Sequence, residues 1–260
     1  MRLLTVLLML FALSGCDRPP PTPAEAMPRH PENIKAADRL NIVGWVYPST
    51  EPRGLILLFH QAGSSKNEYD SIGPRLAAEG FTCYAIDARA GGDLFGDNST
   101  VHLLGESKPY LEAKQDLQAA VDWGRKQKLP VYIWGSSYSA ALVFLIAAEN
   151  PDVVKGVLAF SPGEYLGQPD LVKQAAARVR VPVFVTSASD KGEIAAARAI
   201  LAASPAAVKE QYVPATAGVH GSSTLIADRN PRGAEENWRA VEAFLRRLAP
   251  LPKATASPKP

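Results

Sequence analysis

From about residue 40 to residue 248, short apolar runs alternate with segments of helical periodicity, and this alternation constrains the fold more than any other feature. Leu40–Tyr47, Leu55–Phe59, Thr82–Ile86, Val131–Trp134, Val157–Phe160, Val183–Ser187 and Glu210–Val213 read as strands. Several of them are continuously apolar, as expected of strands covered on both faces. Helices are expected at about Asn67–Glu79, Tyr110–Lys126, Tyr138–Glu149, Leu171–Ala177, Glu193–Ala203 and Ala234–Leu248. Leu117, Ala120, Val121 and Gly124 recur at helical spacing and make one small apolar face. Trp238, Val241, Leu245 and Leu248 form a second stripe, with Glu235 and Glu236 near the positive end of that helix and Arg246 and Arg247 near the negative end. Ala140–Ala148 is apolar all round and too short to cross a bilayer, so it reads as a helix buried in the domain. Alternation of this kind predicts an α/β domain with a mostly parallel central sheet and helices on both faces.

The chain begins with Arg2 followed by an apolar run, Leu3–Leu13, interrupted only by Thr5. A membrane-spanning helix needs about 20 apolar residues, so this run has the length of a signal-peptide core instead. Leu13-Ser14-Gly15-Cys16 resembles the lipobox of bacterial lipoproteins. The resemblance implies cleavage before Cys16, acylation of that cysteine, and a lipid anchor that places the domain in the bacterial cell envelope outside the cytoplasm. Asp17, next in the chain, resembles an inner-membrane retention signal. Pro19, Pro20, Pro21, Pro23, Pro28 and Pro31 then favour extended polyproline conformations. The organisation expected is a signal peptide over 1–15, an acylated cysteine and linker over 16–33, one domain over 34–249, and a flexible tail over 250–260. With Cys16 acylated, Cys83 has no partner for an intramolecular disulfide. A formal net charge of +2 gives no argument for nucleic acid as a partner.

Gly135-Ser136-Ser137-Tyr138-Ser139 lies between an apolar strand and a helix. Read as G-x-S-x-S, it suits a nucleophile elbow, in which a strained turn lifts one serine hydroxyl above the sheet and small flanking residues let helix and strand approach closely. A serine hydroxyl needs a base to take its proton, and the base needs an orienting carboxylate. Of His30, His60, His102 and His220, the last stands in Gly218-Val219-His220-Gly221-Ser222, between the last strand and the last helix. Asp190 follows the strand Val183–Ser187 and lies between serine and histidine in chain order; Glu193, three residues on, is the alternative acid. Phe59-His60-Gln61-Ala62-Gly63-Ser64-Ser65 follows a strongly apolar strand.

Together these segments resemble the α/β-hydrolases over nearly all of residues 34–248, and most closely the dienelactone-hydrolase-like branch. Only about 20 residues separate Phe160 from Val181, which leaves no room for a large cap domain. The resemblance implies a serine hydrolase acting on a small-molecule acyl substrate through Ser137, His220 and Asp190. The oxyanion would be held by the backbone N–H groups of Gln61 and Tyr138. His60 and Asp87-Ala88-Arg89 would be structural. This chain departs from the family at Gln61 and Ser139, where glycine is usual, and it carries serine where dienelactone hydrolases carry cysteine. Segments 88–109 and 162–174 are expected to line the site. H-E-x-x-H, paired C-x-x-C and G-x-x-x-x-G-K-[ST] patterns are all missing from the sequence, so neither a metal nor a cofactor is expected. The competing expectation is a noncatalytic envelope protein that uses a hydrolase scaffold for binding.

Overall fold

The computed structural model describes residues 27–250; the expected signal peptide, Cys16 and most of the expected linker and tail lie outside the described residues. Eight strands form one sheet: β1 (His30–Lys35), β2 (Asn41–Tyr47), β3 (Gly54–Phe59), β4 (Phe81–Ile86), β5 (Val131–Ser136), β6 (Val154–Phe160), β7 (Val183–Thr186) and β8 (Lys209–Gln211). Their order is β1-β2-β4-β3-β5-β6-β7-β8. The two pairings that involve β2 are antiparallel, and every other pairing is parallel. This is the α/β-hydrolase architecture.

The pleat of the central strands accounts for the layers. Leu55, Leu57 and Phe59 of β3, with Val131 and Ile133 of β5, belong to one core; Ile56, Leu58, Tyr132 and Trp134 belong to the other. Alternate residues thus face opposite sides, and both sides are covered, which is why β3 and β5 are buried along their whole length. Helices α3 (Lys114–Lys126), α4 (Tyr138–Glu149), α5 (Leu171–Ala176) and α6 (Lys191–Ala203) pack on the first core. Helices α1 (Ile72–Ala78) and α7 (Ala234–Leu248) pack on the second. A short α2 (Ser99–Leu104) lies outside these layers. The apolar helix α4 is buried over Tyr138–Ala147, and among the described residues no helix is long and apolar enough to cross a membrane.

Three sequence expectations change. The linker reading covered His30–Asn33, but these residues belong to β1, which pairs with β2 from His30↔Val46 to Lys35↔Asn41. An edge strand tolerates Pro31 because one side of it needs no N–H donors. The single helix expected at Asn67–Glu79 is instead a 3₁₀ turn, Lys66–Tyr69, followed by α1. Likewise a 3₁₀ turn, Tyr110–Ala113, precedes α3. Between β6 and β7 the only helix is α5, so no cap domain covers the sheet edge among the described residues.

Candidate active site

The loops that follow β3, β5, β7 and β8 meet at the C-terminal edge of the parallel strands, where open α/β sheets place their ligand sites. Ser137 occupies the turn between β5 and α4 with φ 59° and ψ −118°, a strained conformation for a residue with a side chain. The turn is tight: a Cβ on Gly135 would lie 2.4 Å from the Ser139 carbonyl oxygen, so glycine is required there. Ser139 stands where glycine is usual and braces the turn. Its hydroxyl accepts the Ser136 N–H at 2.8 Å and lies 2.6 Å from the Phe59 carbonyl oxygen, tying the elbow to β3.

His220 Nε2 is 2.7 Å from Ser137 Oγ, and His220 Nδ1 is 2.9 Å from Glu193 Oε1. The carboxylate that faces the imidazole is therefore Glu193, and not Asp190, which was expected there. Asp190 is exposed and caps α6, with its Oδ1 accepting the N–H groups of Gly192 at 2.8 Å and Glu193 at 3.1 Å. An aspartate committed to its own helix start cannot also face the imidazole. Glu193, at the third helical position, reaches back instead, and its Oε2 accepts the Ala188 N–H at 3.1 Å. The sequence did carry a signal, because Asp190 stands immediately before the helix and aspartate is a strong N-cap residue. Burial alone would raise the Glu193 carboxyl, but hydrogen bonds from His220, the Ser161 hydroxyl and the Ala188 N–H hold it down at about 2. The Glu193 hydrogen bond in turn raises His220 above its ordinary value, against the opposing effect of burial.

The loop that carries His220 is fixed from below. Gly221 donates its N–H to Ser161 Oγ at 2.9 Å, Ser222 donates its N–H to Ser136 Oγ at 2.9 Å, and Trp134 Nε1–H donates to Ser222 Oγ at 2.8 Å.

Gln61 does not fill the role expected of it. Its N–H donates to Glu68 Oε2 at 2.8 Å and so is not directed at Ser137. Among the described residues, neither the Ala62 N–H nor the Tyr138 N–H has a protein acceptor. Tyr138 is the first residue of α4, where an N–H has no intrahelical partner. His60 is structural, as expected. Its Nε2 accepts the Ala88 N–H at 3.0 Å, so Nδ1 carries the proton that faces the Gln61 carbonyl at 2.8 Å, and full burial pushes its pKa down. Asp87 binds the Lys66 ammonium at 2.7 Å and the Ser99 N–H at 2.8 Å, which is also a structural role. His102 is exposed beside Asp93, and His30 lies in β1.

Segment 91–112 borders the site. Leu94 donates its N–H to the Gly63 carbonyl at 2.9 Å, and Tyr110 stacks on Tyr138 with ring centroids 4.7 Å apart. A groove of about 830 Å³ lies elsewhere, between β1 and α3, and mixed charges such as Glu32, Lys35, Asp122 and Lys126 line it. None of Ser137, His220 and Glu193 lines it. Among the described residues no group of three or more metal-ligating side chains comes together.

The hydrolase family model described as serine aminopeptidase, S33, matches residues 50–214. Monoglyceride lipase of Mus musculus is 26% identical over 152 residues, covering 54% of this chain and 48% of the lipase. The chain thus spans about half the length of the curated relatives it matches. Among solved structures, dienelactone hydrolase from Anabaena variabilis aligns with a TM-score of 0.66 at 18% identity, covering 86% of this chain and 98% of that one. An esterase from Pyrococcus furiosus aligns at 0.64 and 18% identity, covering 85% and 92%.

Proposed function

We propose, from the premise that this chain belongs to the serine aminopeptidase S33 family of α/β-hydrolases, that it is a serine hydrolase of carboxylic esters that works through Ser137, His220 and Glu193. The observation that carries the reading is the continuous chain from Ser137 Oγ to His220 Nε2 at 2.7 Å and from His220 Nδ1 to Glu193 Oε1 at 2.9 Å. The names of the relatives, a lipase and esterases, favour an ester over a peptide as substrate.

Neutral His220 takes the Ser137 proton at Nε2 while Oγ bonds to the ester carbonyl carbon. Glu193 holds Nδ1–H and stabilises the imidazolium that forms. The negative charge on the former carbonyl oxygen faces the free N–H groups of Tyr138 and Ala62, and each such donor lowers the barrier by about 3 kcal/mol. Collapse of the tetrahedral species breaks the bond to the alcohol, which leaves with the proton from His220. Water, deprotonated by the same imidazole, then releases the acid from Ser137.

The domain is further proposed to be held at a membrane of the bacterial envelope through lipid on Cys16. The Leu13-Ser14-Gly15-Cys16 pattern supports this, and two or more acyl chains suffice for stable anchoring. Failure of labelled palmitate to enter the protein would end that part of the proposal.

The test of activity is fluorophosphonate labelling followed by peptide mass mapping, together with turnover of a panel of p-nitrophenyl esters and aminoacyl p-nitroanilides. Labelling at Ser137 with ester turnover is expected, and Ser137→Ala and His220→Asn each lose on the order of 10⁶ in kcat. A folded protein that neither labels nor turns over would leave the scaffold a binding role. Faster cleavage of the anilides would make it a peptidase.

A further inference from the structure

The reaction as described leaves one buried ionisable group at the site without a role. Glu68 lies in the 3₁₀ turn Lys66–Tyr69 and is 1% exposed. Its Oε2 accepts the Gln61 N–H at 2.8 Å, and its Oε1 accepts the Ser136 hydroxyl at 2.7 Å. Ser136 Oγ accepts the Ser222 N–H at 2.9 Å. Gln61 adjoins Ala62, Ser136 adjoins Ser137, and Ser222 is two residues from His220. One carboxylate therefore joins the oxyanion loop, the elbow and the base loop. The junction is closely fitted: Gly221 has φ +66°, and a Cβ there would lie 2.5 Å from Ser136 Oγ. Joining loops does not by itself require a charge, and a buried carboxylate held only by neutral donors is costly. Of the groups that act most strongly on Glu68, His220 is the one that can carry a positive charge.

We propose that Glu68 is a positioning residue, which fixes the three loops around Ser137 and whose negative charge helps to hold the proton on His220. The proposal rests on the reading of Ser137 and His220 given above. Ionisable groups that act on Glu68 include His220, Tyr69 and Tyr138, and burial holds both tyrosines well above their usual range, so they stay neutral; His220 itself faces Glu193 on its other nitrogen. Burial raises Glu68 to about 7, against the hydrogen bonds from Gln61 and Ser136. Burial thus brings Glu68 toward the range in which an imidazole titrates, and the two groups are expected to titrate as a pair. As pH rises, Glu68 becomes negative and strengthens the hold of His220 on its own proton, which stretches the histidine titration over a wider range than one isolated proton would occupy.

The experiment is an NMR titration of the imidazole Cε1–H of His220 in the full chain, with the resonance identified by its loss in His220→Asn. Glu68→Gln keeps the shape: the amide oxygen can accept the Gln61 N–H, and the amide N–H₂ can donate to Ser136 Oγ. In Glu68→Gln the His220 midpoint is expected to move to lower pH and the curve to narrow to that of a single proton. Glu68→Asp, which keeps the charge, should stay closer to wild type. An unchanged midpoint and slope in folded Glu68→Gln would overturn the proposal. If that variant does not fold, the wild-type curve decides, because a single-proton slope there excludes the coupling. The titration does not depend on turnover, so the two failures can be told apart. Normal fluorophosphonate labelling with an uncoupled His220 sinks the role of Glu68 alone, and absent labelling in the folded wild type sinks the triad reading.

Discussion

Glu193→Gln paired with Asp190→Asn tests the site most directly, because the two carboxylates lie within one helical turn and have separate partners. Glu193 faces His220 Nδ1 with one oxygen and the Ala188 N–H with the other, at 2.9 and 3.1 Å. An amide offers one acceptor, so the two sites compete for it. If the amide oxygen turns to Ala188, the N–H₂ group faces Nδ1. That orientation forces the tautomer with hydrogen on Nε2, which cannot take the Ser137 proton. The comparable acid-to-amide change in a serine protease lowers kcat by about 10⁴. Some molecules keep the amide oxygen toward His220, so kcat is expected to fall by about 10³ to 10⁴ in Glu193→Gln, a barrier increase of roughly 4 to 5.5 kcal/mol. Asp190→Asn should stay within a few-fold of wild type, because asparagine caps a helix about as well as aspartate. Initial rates on a p-nitrophenyl ester, with folding checked by circular dichroism, measure both. Equal losses in the two variants, or wild-type rates in Glu193→Gln, would refute the assignment.

Three other outcomes follow from the same contacts. Because the Glu193 hydrogen bond raises His220, the acid limb of kcat/KM should lie above the ordinary imidazole range in wild type and move to lower pH in the residual activity of Glu193→Gln; a limb that does not move contradicts the contact. Ser139→Ala leaves the buried Ser136 N–H without its acceptor, which costs about 1 to 3 kcal/mol and should lower Tm by at least about 2 °C in a chain of this size. Gly221→Ala places a Cβ against Ser136 Oγ at a positive φ, so a large loss of kcat is expected, and a wild-type rate in the folded variant would show that the base loop is not held where described.

The strands were legible in the sequence where burial on both faces made the run continuously apolar, as in Leu55–Phe59 and Val131–Trp134. β1 was not, because its residues His30-Pro31-Glu32-Asn33-Ile34-Lys35 form a half-exposed edge with one buried side chain, Ile34, and carry no alternation. α2 was hidden by its length, six residues with only Thr100 buried. Ser137 and His220 could be found because each sits at a turn whose small neighbours are required by packing. The choice between Asp190 and Glu193 depends on which carboxylate the helix start uses, and the preference of aspartate for the N-cap points to Asp190 for that task. Gln61 was misjudged for a different reason. Its N–H is taken by Glu68, which in the sequence looks like one more polar residue of a helix, and its burial follows only from how the 3₁₀ turn packs beneath the loop.

The site divides into a fixed floor and a more open mouth, and the two differ in the kind of contact that builds them. The floor consists of polar groups, Glu68, Ser136, Ser161 and Ser222, buried and bonded across loops distant in sequence. Such a network is stiff because each member would be left unsatisfied if its neighbour moved. That stiffness lets Ser137 keep a strained backbone and His220 keep a 2.7 Å contact although its side chain is 41% exposed. The mouth segment instead presents Leu94, Leu103 and Tyr110 to solvent, and is joined to the site through the Leu94 N–H on Gly63 and the Tyr110 ring on Tyr138. Exposed apolar groups gain by being covered, so a substrate can be recognised there without disturbing the floor. Because Tyr110 rests on Tyr138, whose N–H faces the developing oxyanion in the proposed reaction, the mouth and the reacting centre share one contact. Through that contact the fit of a substrate can act on the rate of its conversion, and not only on its binding.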